Sequence, residues 1–429
     1  MIRAALRSWN GGGLPGGRPL VRVAFFGDSM MNGVSGPPGA TGTAGYYARG
    51  AGGYAAAACG HAWTAARNPY CMTSGPSEDL DYGWDGATAL DLLSSRTLIN
   101  SYSGGAYSVT LTPAEAVLAS GARDVVIHAG TNDLSAATAA TTLTRLDALA
   151  RYFVAAGRRV FLCSLLPRGG NTTAPTVETF QSRINTVNAG LPALAAAAGC
   201  HLVSWHGPLM SGGVADTACF YETPALHPNA TGAARMGLAL AAAMAPYLGS
   251  AFEPPAKGDA AWLNADPNLP YPETDANTDG LADGWVVNYF TTLAASLENN
   301  GDARWQRLAE TGASETVHYV FCPAPANARI AAAAGSAATF RAACRYEIVS
   351  GTLGGIALRS QIYSAAYAAV VRHASHFPDS EYSAVFPAHA GLLLTEPFTI
   401  PADGAIGEAI FRFYGKGVVR LRQFGIFEV

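Results

Sequence analysis

Three residues in this chain have the types and settings that chemistry needs. Ser29 sits in Phe26-Gly27-Asp28-Ser29, directly after the apolar run Val21-Arg22-Val23-Ala24-Phe25-Phe26. Asn132 sits in Gly130-Thr131-Asn132-Asp133, after a second apolar run at 124–129, and His227 sits in Leu226-His227-Pro228, just ahead of an alanine-rich stretch at 230–247. A hydroxyl, a side-chain amide and an imidazole are the parts that acyl transfer to water requires. The base takes the hydroxyl proton, the hydroxyl attacks a carbonyl, and the amide donates to the oxyanion that forms. On these assignments Ser29 is the nucleophile, His227 the general base, and the Ser29 N–H and Asn132 amide are oxyanion donors. Each has a plainer reading when taken alone, since Gly-Asp-Ser and Gly-Thr-Asn-Asp are ordinary turns and a His before Pro often serves a loop. Their order and their placement at the ends of apolar runs favour the chemical reading.

The elements that must hold them alternate. Strands are expected at 21–26, 96–100, 124–129, 159–164 and 201–205, and helices around 143–156, 177–198 and 232–248. Such alternation predicts an α/β domain with a parallel sheet covered on both faces, over 21–249. Open sheets of that kind form their sites at the carboxyl ends of the strands, where Ser29 and Asn132 fall. With 429 residues a second domain is expected. After the Pro- and Gly-containing stretch 250–261, read as a linker, short apolar-polar alternations from 262 to 429 predict an antiparallel β-sandwich. Residues 331–343 could instead be helical.

Together the three blocks resemble the SGNH (GDSL-type) hydrolase family, whose motifs carry Ser, Gly, Asn and His in that order. The resemblance covers about the first 250 residues and implies a three-layer, flavodoxin-like domain that hydrolyses carboxylic esters without an organic cofactor. It also implies a glycine N–H as a further oxyanion donor, after the second strand. Gly105 follows the expected strand 96–100 and is preferred on that ground; Gly86, in Asp81-Tyr82-Gly83-Trp84-Asp85-Gly86, matches the motif better in letters. The family places an Asp three residues before the His, whereas this chain has Pro224. Glu222 or Asp216 could take that role, or a Ser-His dyad could act alone. Asp28 and Asp133 are expected to bond backbone, and His128 to be a core histidine.

The segment Asn277-Thr278-Asp279-Gly280-Leu281-Ala282-Asp283-Gly284-Trp285 resembles the opening of jelly-roll carbohydrate-binding modules. Asp275, Asn277, Asp279 and Asp283 also alternate like the ligands of a structural calcium loop, the alternative being an Asx-turn. The EF-hand form fails because Val286 stands where its Glu belongs.

Charged residues make up 14% of the chain and the net charge is −4, with no basic block, which argues against a nucleic-acid partner. No apolar stretch is long enough to span a bilayer. Residues 1–20 contain three arginines and no secretory core segment, so the chain either is made without export by that route or has had its leader removed, with extracellular or virion-associated placement favoured over cytoplasmic. Seven cysteines permit pairs 59/71, 200/219 and 322/344, with Cys163 a buried thiol, or no disulfides at all. The tyrosine-rich insertion between 30 and 86 reads either as a substrate-facing wall or as packed decoration. The leading expectation is an esterase acting on O-acetyl groups of a polysaccharide. A lipase or aryl-esterase is the competitor within enzymes; a homo-oligomeric, glycan-binding viral tail or surface protein is the competitor outside them.

Overall fold

The computed structural model describes residues 21–31, 50–66, 70–71, 81–100, 108–168, 177–221, 225–288, 292–312, 317–376 and 386–429. The chain divides into two units, one comprising 21–56 and 63–249 and the other 57–62 and 250–429.

Strand β1 (Val21–Gly27) is buried continuously from Val23 to Gly27, as a strand covered on both faces must be. It lies in a parallel sheet with β2 (Trp63–Ala65), β7 (Asp124–His128), β8 (Arg159–Cys163) and β9 (His201–Val203), in the order β2-β1-β7-β8-β9. Side chains alternate between the faces. Ala24, Phe26, Val125, Ile127, Val160 and Leu162 share one core with Leu146, Leu149 and Phe153 of the helix Ala139–Ala155 and Ile184, Val187 and Leu191 of the helix Val177–Ala198. Phe25, Val126 and Phe161, on the other face, are equally inaccessible. Each such side chain contributes roughly 1.5–3 kcal/mol on burial, so the sheet is a rigid base for whatever its strand ends carry.

The second strand is not where sequence placed it. β5 (Arg96–Asn100) is antiparallel, lying between β3 (Tyr70–Cys71) and β6 (Ser108–Leu111) in a separate three-stranded sheet. The free edge of β1 is shared instead by two short pieces of the 30–86 insertion. Trp63–Ala65 pairs with Val21–Val23, and β4 (Tyr82–Gly83) pairs with Phe26 and Gly27. The described part of the insertion is therefore part of the fold. Its helix Ala51–Ala58 lies so close to the helix Ala230–Met244 that a Cβ on Gly237 would stand 2.5 Å from the Ala51 carbonyl.

The second unit is an antiparallel β-sandwich built on two long strands, Phe340–Tyr363 and Ile406–Glu428, which pair along most of their length. Three register shifts interrupt that pairing, and at one of them Gly351 and Gly417 approach each other with φ of +106° and +144°. A Cβ on Gly351 would stand 2.3 Å from the Gly417 Cα, so glycine here permits a bulge without ending the strand. A helix does form after 327, but only over Ala328–Ala333, and the strand begins at Phe340. The stretch read as a linker is packed: Phe252 joins Trp262, Tyr271 and Phe427 in one buried cluster, and the Trp262 indole N–H donates to the Ala256 carbonyl.

Cys59, Cys163, Cys200, Cys219, Cys322 and Cys344 are free thiols, which removes all three disulfides the spacing permitted. Burial pushes the Cys59, Cys200 and Cys219 thiols up to about 11 and Cys322 to about 12. Among the described residues no helix is long and apolar enough to cross a membrane.

Candidate active site

Ser29 opens a single 3-10 turn, Ser29–Met31, at the carboxyl end of β1. Gly27 makes that turn possible, since a Cβ there would fall 1.7 Å from the His128 carbonyl oxygen. Asp28 then closes it. Its carbonyl accepts from the Met31 N–H at 3.0 Å and its Oδ1 from the Met30 N–H at 3.1 Å. The Ser29 N–H is left without a partner among the described residues.

Asn132 lies one strand over, at the carboxyl end of β7, and is half-buried. Its Nδ2 donates to the Ala87 carbonyl at 3.0 Å. An amide nitrogen carries two hydrogens, so one remains for a ligand. The same bond ties Asn132 to the turn that leaves β4. That turn is fixed to the nucleophile strand through the Trp84 N–H, which donates to the Gly27 carbonyl at 3.0 Å. It is fixed to the Asn132 block a second time, through the Ala89 N–H, which donates to Asp133 Oδ2 at 2.8 Å. Asp133 Oδ1 is held by Arg145 at 2.7 Å. Asp28 and Asp133 thus have the backbone-bonding roles expected of them.

Gly86 sits in this turn at φ +71°, with nothing within 4 Å of where a Cβ would be, and its N–H has no partner among the described residues. Gly105 lies outside the described residues. The ground for preferring Gly105 is gone, because β5 is no member of the parallel sheet and the strand that runs beside β1 up to Gly27 is β4. A two-residue strand has too few positions for periodicity to show, so only the letters of Tyr82-Gly83-Trp84-Asp85-Gly86 pointed to it.

His227 is held by its backbone between two anchors. Its carbonyl accepts from the Tyr221 N–H at 3.0 Å, and Phe220 and Pro228 form an antiparallel bridge. Asn229 caps the helix Ala230–Met244 through the N–H groups of Thr231 and Gly232, while its own Nδ2 donates to the Ala218 and Phe220 carbonyls. Asp216, a candidate to orient the imidazole, is engaged elsewhere. It forms an ion pair with Arg235 at 2.8 Å and accepts from the Ala218 N–H. Partial burial works to raise the Asp216 carboxyl, but these two partners outweigh it and hold the group below its usual range. Glu222 and Pro224 lie outside the described residues.

His128, expected in the core, is completely buried beneath this site. The acidic loop of the second unit folds onto its own backbone. Asp275 accepts from the N–H groups of Asp279 and Gly280, Asp279 from Leu281, and Asp283 from Ala276, while Asn277 Nδ2 donates to Asp279. Of these, the Asp279–Leu281 bond has the two-residue spacing of an Asx-turn, and the other bonds from backbone N–H groups tie the loop across four to seven residues. Among the described residues no group of three or more His, Cys, Asp or Glu side chains is placed to hold a metal ion.

Residues 25–235 match the model of the GDSL-like lipase/acylhydrolase family. No curated protein sequence matches the chain. Among solved structures, a carbohydrate acetylesterase from Sinorhizobium meliloti is similar with 18% identity and a TM-score of 0.36, over 53% of this chain and 99% of that one. The aryl esterase of M. smegmatis is similar with 15% identity and a TM-score of 0.36, over 53% of this chain and 100% of that one. A structure of carbohydrate-binding modules from the β-sandwich superfamily is similar with 14% identity and a TM-score of 0.25, over 40% of this chain and 64% of that one.

Proposed function

We propose that the first unit, whose residues 25–235 belong to the GDSL-like lipase/acylhydrolase family, cleaves carboxylic esters with Ser29 as nucleophile and His227 as general base. In this reading Ser29 Oγ attacks the ester carbonyl as His227 takes its proton. The carbonyl oxygen, now carrying the charge, accepts from the Ser29 N–H, the Gly86 N–H and the second Asn132 N–H. His227 then returns the proton to the leaving alcohol, and a water molecule repeats the sequence on the acyl-enzyme. The observation that carries the reading is the Asn132–Ala87 bond together with the Trp84–Gly27 bond, which tie the segments of Ser29, Gly86 and Asn132 together at neighbouring strand ends.

For the substrate we favour O-acetyl groups on a polysaccharide. The support is the β-sandwich appended to the hydrolase unit, an arrangement suited to an enzyme that works on extended sugars. The test compares wild type with Ser29→Ala on p-nitrophenyl acetate, p-nitrophenyl octanoate and an acetylated polysaccharide. Ser29-dependent acetate release from the polysaccharide with little octanoate turnover supports this substrate. Dominant octanoate turnover moves the enzyme to the lipase type, and turnover that survives Ser29→Ala refutes the mechanism. Glu222→Gln, run alongside, removes Glu222 from the mechanism if the rate is unchanged.

A further inference from the structure

We infer that the buried pair Asp28–His128, with Trp205 stacked on it, is a positioning device that locks the nucleophile turn to the strand carrying the oxyanion amide. The inference rests on the proposed esterase reading, to which it adds residues that never touch substrate.

Asp28 and His128 are both fully inaccessible, and Asp28 Oδ1 lies 3.2 Å from His128 Nδ1. A carboxylate only accepts, so Nδ1 carries the hydrogen. The same Oδ1 accepts from the Met30 N–H, which closes the turn presenting Ser29. Asp28 also donates its backbone N–H to the His128 carbonyl at 3.2 Å, so one residue grips the other by main chain and by ring. His128 is the last residue of β7, four positions before Asn132. The device therefore sets the register between nucleophile and oxyanion donor from below.

The array continues toward the base. The His128 ring stacks on Trp205, with centroids 5.7 Å apart and planes 29° from parallel. The Trp205 indole N–H donates to the Met236 carbonyl at 3.0 Å, inside the helix that follows His227. Each of the three catalytic segments thus meets one buried chain of contacts.

Stability alone does not account for the pair. Asp28 Oδ2 and His128 Nε2 are buried and have no hydrogen-bond partner among the described residues. Leaving such groups unpaired costs folding energy, and apolar residues of the same volume would avoid that cost. A polar pair on such terms fits a positioning role, the geometry it enforces being what it contributes.

The test reads the reactivity of Ser29 directly, by the rate at which a fluorophosphonate probe labels it, alongside thermal unfolding and kcat and KM on p-nitrophenyl acetate. His128→Asn keeps an N–H donor at the Nδ1 position; His128→Gln keeps size and polarity but moves the donor to the Nε2 position. Misplacing a reacting group by a fraction of an ångström to an ångström slows reaction by about 10–100-fold, so His128→Gln is expected to label and turn over that much more slowly with KM unchanged, and His128→Asn to stay within about threefold of wild type. A folded His128→Gln with wild-type labelling and kcat overturns the inference, as does a His128→Asn equally impaired. Should His128→Gln not fold, Asp28→Asn against Asp28→Ala asks the same question. Asn keeps an acceptor oxygen and Ala does not, and equal rates for the two would overturn the inference. Wild type that fails to label at Ser29 refutes the esterase reading itself, a different outcome from these.

Discussion

Asn132→Ala separates the two roles that one side chain has here. In the ground state its Nδ2 holds the Ala87 carbonyl at 3.0 Å. In the transition state its second N–H is assigned to the oxyanion. Losing the first bond leaves the carbonyl of a residue only 3% exposed without that donor, a cost of about 1–3 kcal/mol in folding stability. Losing the second raises the barrier by about 2.7–4 kcal/mol, or roughly 10²–10³ in kcat. Denaturant unfolding reads the first and kcat on p-nitrophenyl acetate reads the second, at a temperature well below the variant's midpoint. KM should change little, since the oxyanion exists only after attack. Asn132→Asp sharpens the case: it keeps the shape, removes both N–H groups and faces the oxyanion with a carboxylate, so its kcat should fall at least as far. A folded Asn132→Ala enzyme with kcat close to wild type would refute the oxyanion assignment, whatever happened to its stability.

Gly86→Ala, at φ +71°, strains the turn by about 1–2 kcal/mol without a clash and should turn its N–H off the oxyanion, lowering kcat about tenfold or more; Gly105→Ala should leave kcat nearly unchanged. The reverse result in the same assay restores Gly105. In the second unit Glu310 is buried, and burial works to raise its carboxyl. The Gly312 N–H, Thr292 hydroxyl and His318 ring outweigh that and hold it below its usual range. A depressed folded pKa means the contribution is present above about pH 4.5 and is lost as pH falls through the folded value. Calorimetry from neutral to acid pH should show the unfolding temperature dropping in that window, and Glu310→Gln should flatten the drop. With six free thiols among the described residues, dithiothreitol should leave the unfolding temperature unchanged. A native protein titrated with a thiol reagent near pH 8 should react slowly, because burial keeps Cys59, Cys200 and Cys219 at about 11; a clear fall in unfolding temperature on reduction would contradict the free-thiol state.

Several errors of the sequence reading have one cause. In a sequence a strand shows itself by the length of its apolar run. That succeeds for β1, β7 and β8, which are buried on both faces and written as continuous apolar runs. It fails for Tyr82–Gly83, two residues long, whose strand character comes from pairing with Phe26 and Gly27. It fails in the opposite sense in the second unit. The alternations expected there to be short are in part segments of two continuous strands, Phe340–Tyr363 and Ile406–Glu428. Gly351 and Gly417 face each other beside a register shift and keep the ladder going.

Legible in the amino-acid sequence are the α/β unit, the β-rich second unit, and the positions of Ser29, Asn132 and His227 at the ends of structured elements. These are local properties: burial on two faces writes an apolar run, and a residue that must follow a strand follows it in the chain. What pairs across the fold adds the rest: which segment borders β1, that the turn carrying Gly86 is bonded to Asn132, that Asp216 is committed to Arg235, and that Asp28 and His128 meet although they are 100 residues apart. Each of those depends on which edges and side chains pair across the sheet, and hydrogen bonds between distant residues leave no periodicity for a sequence to display.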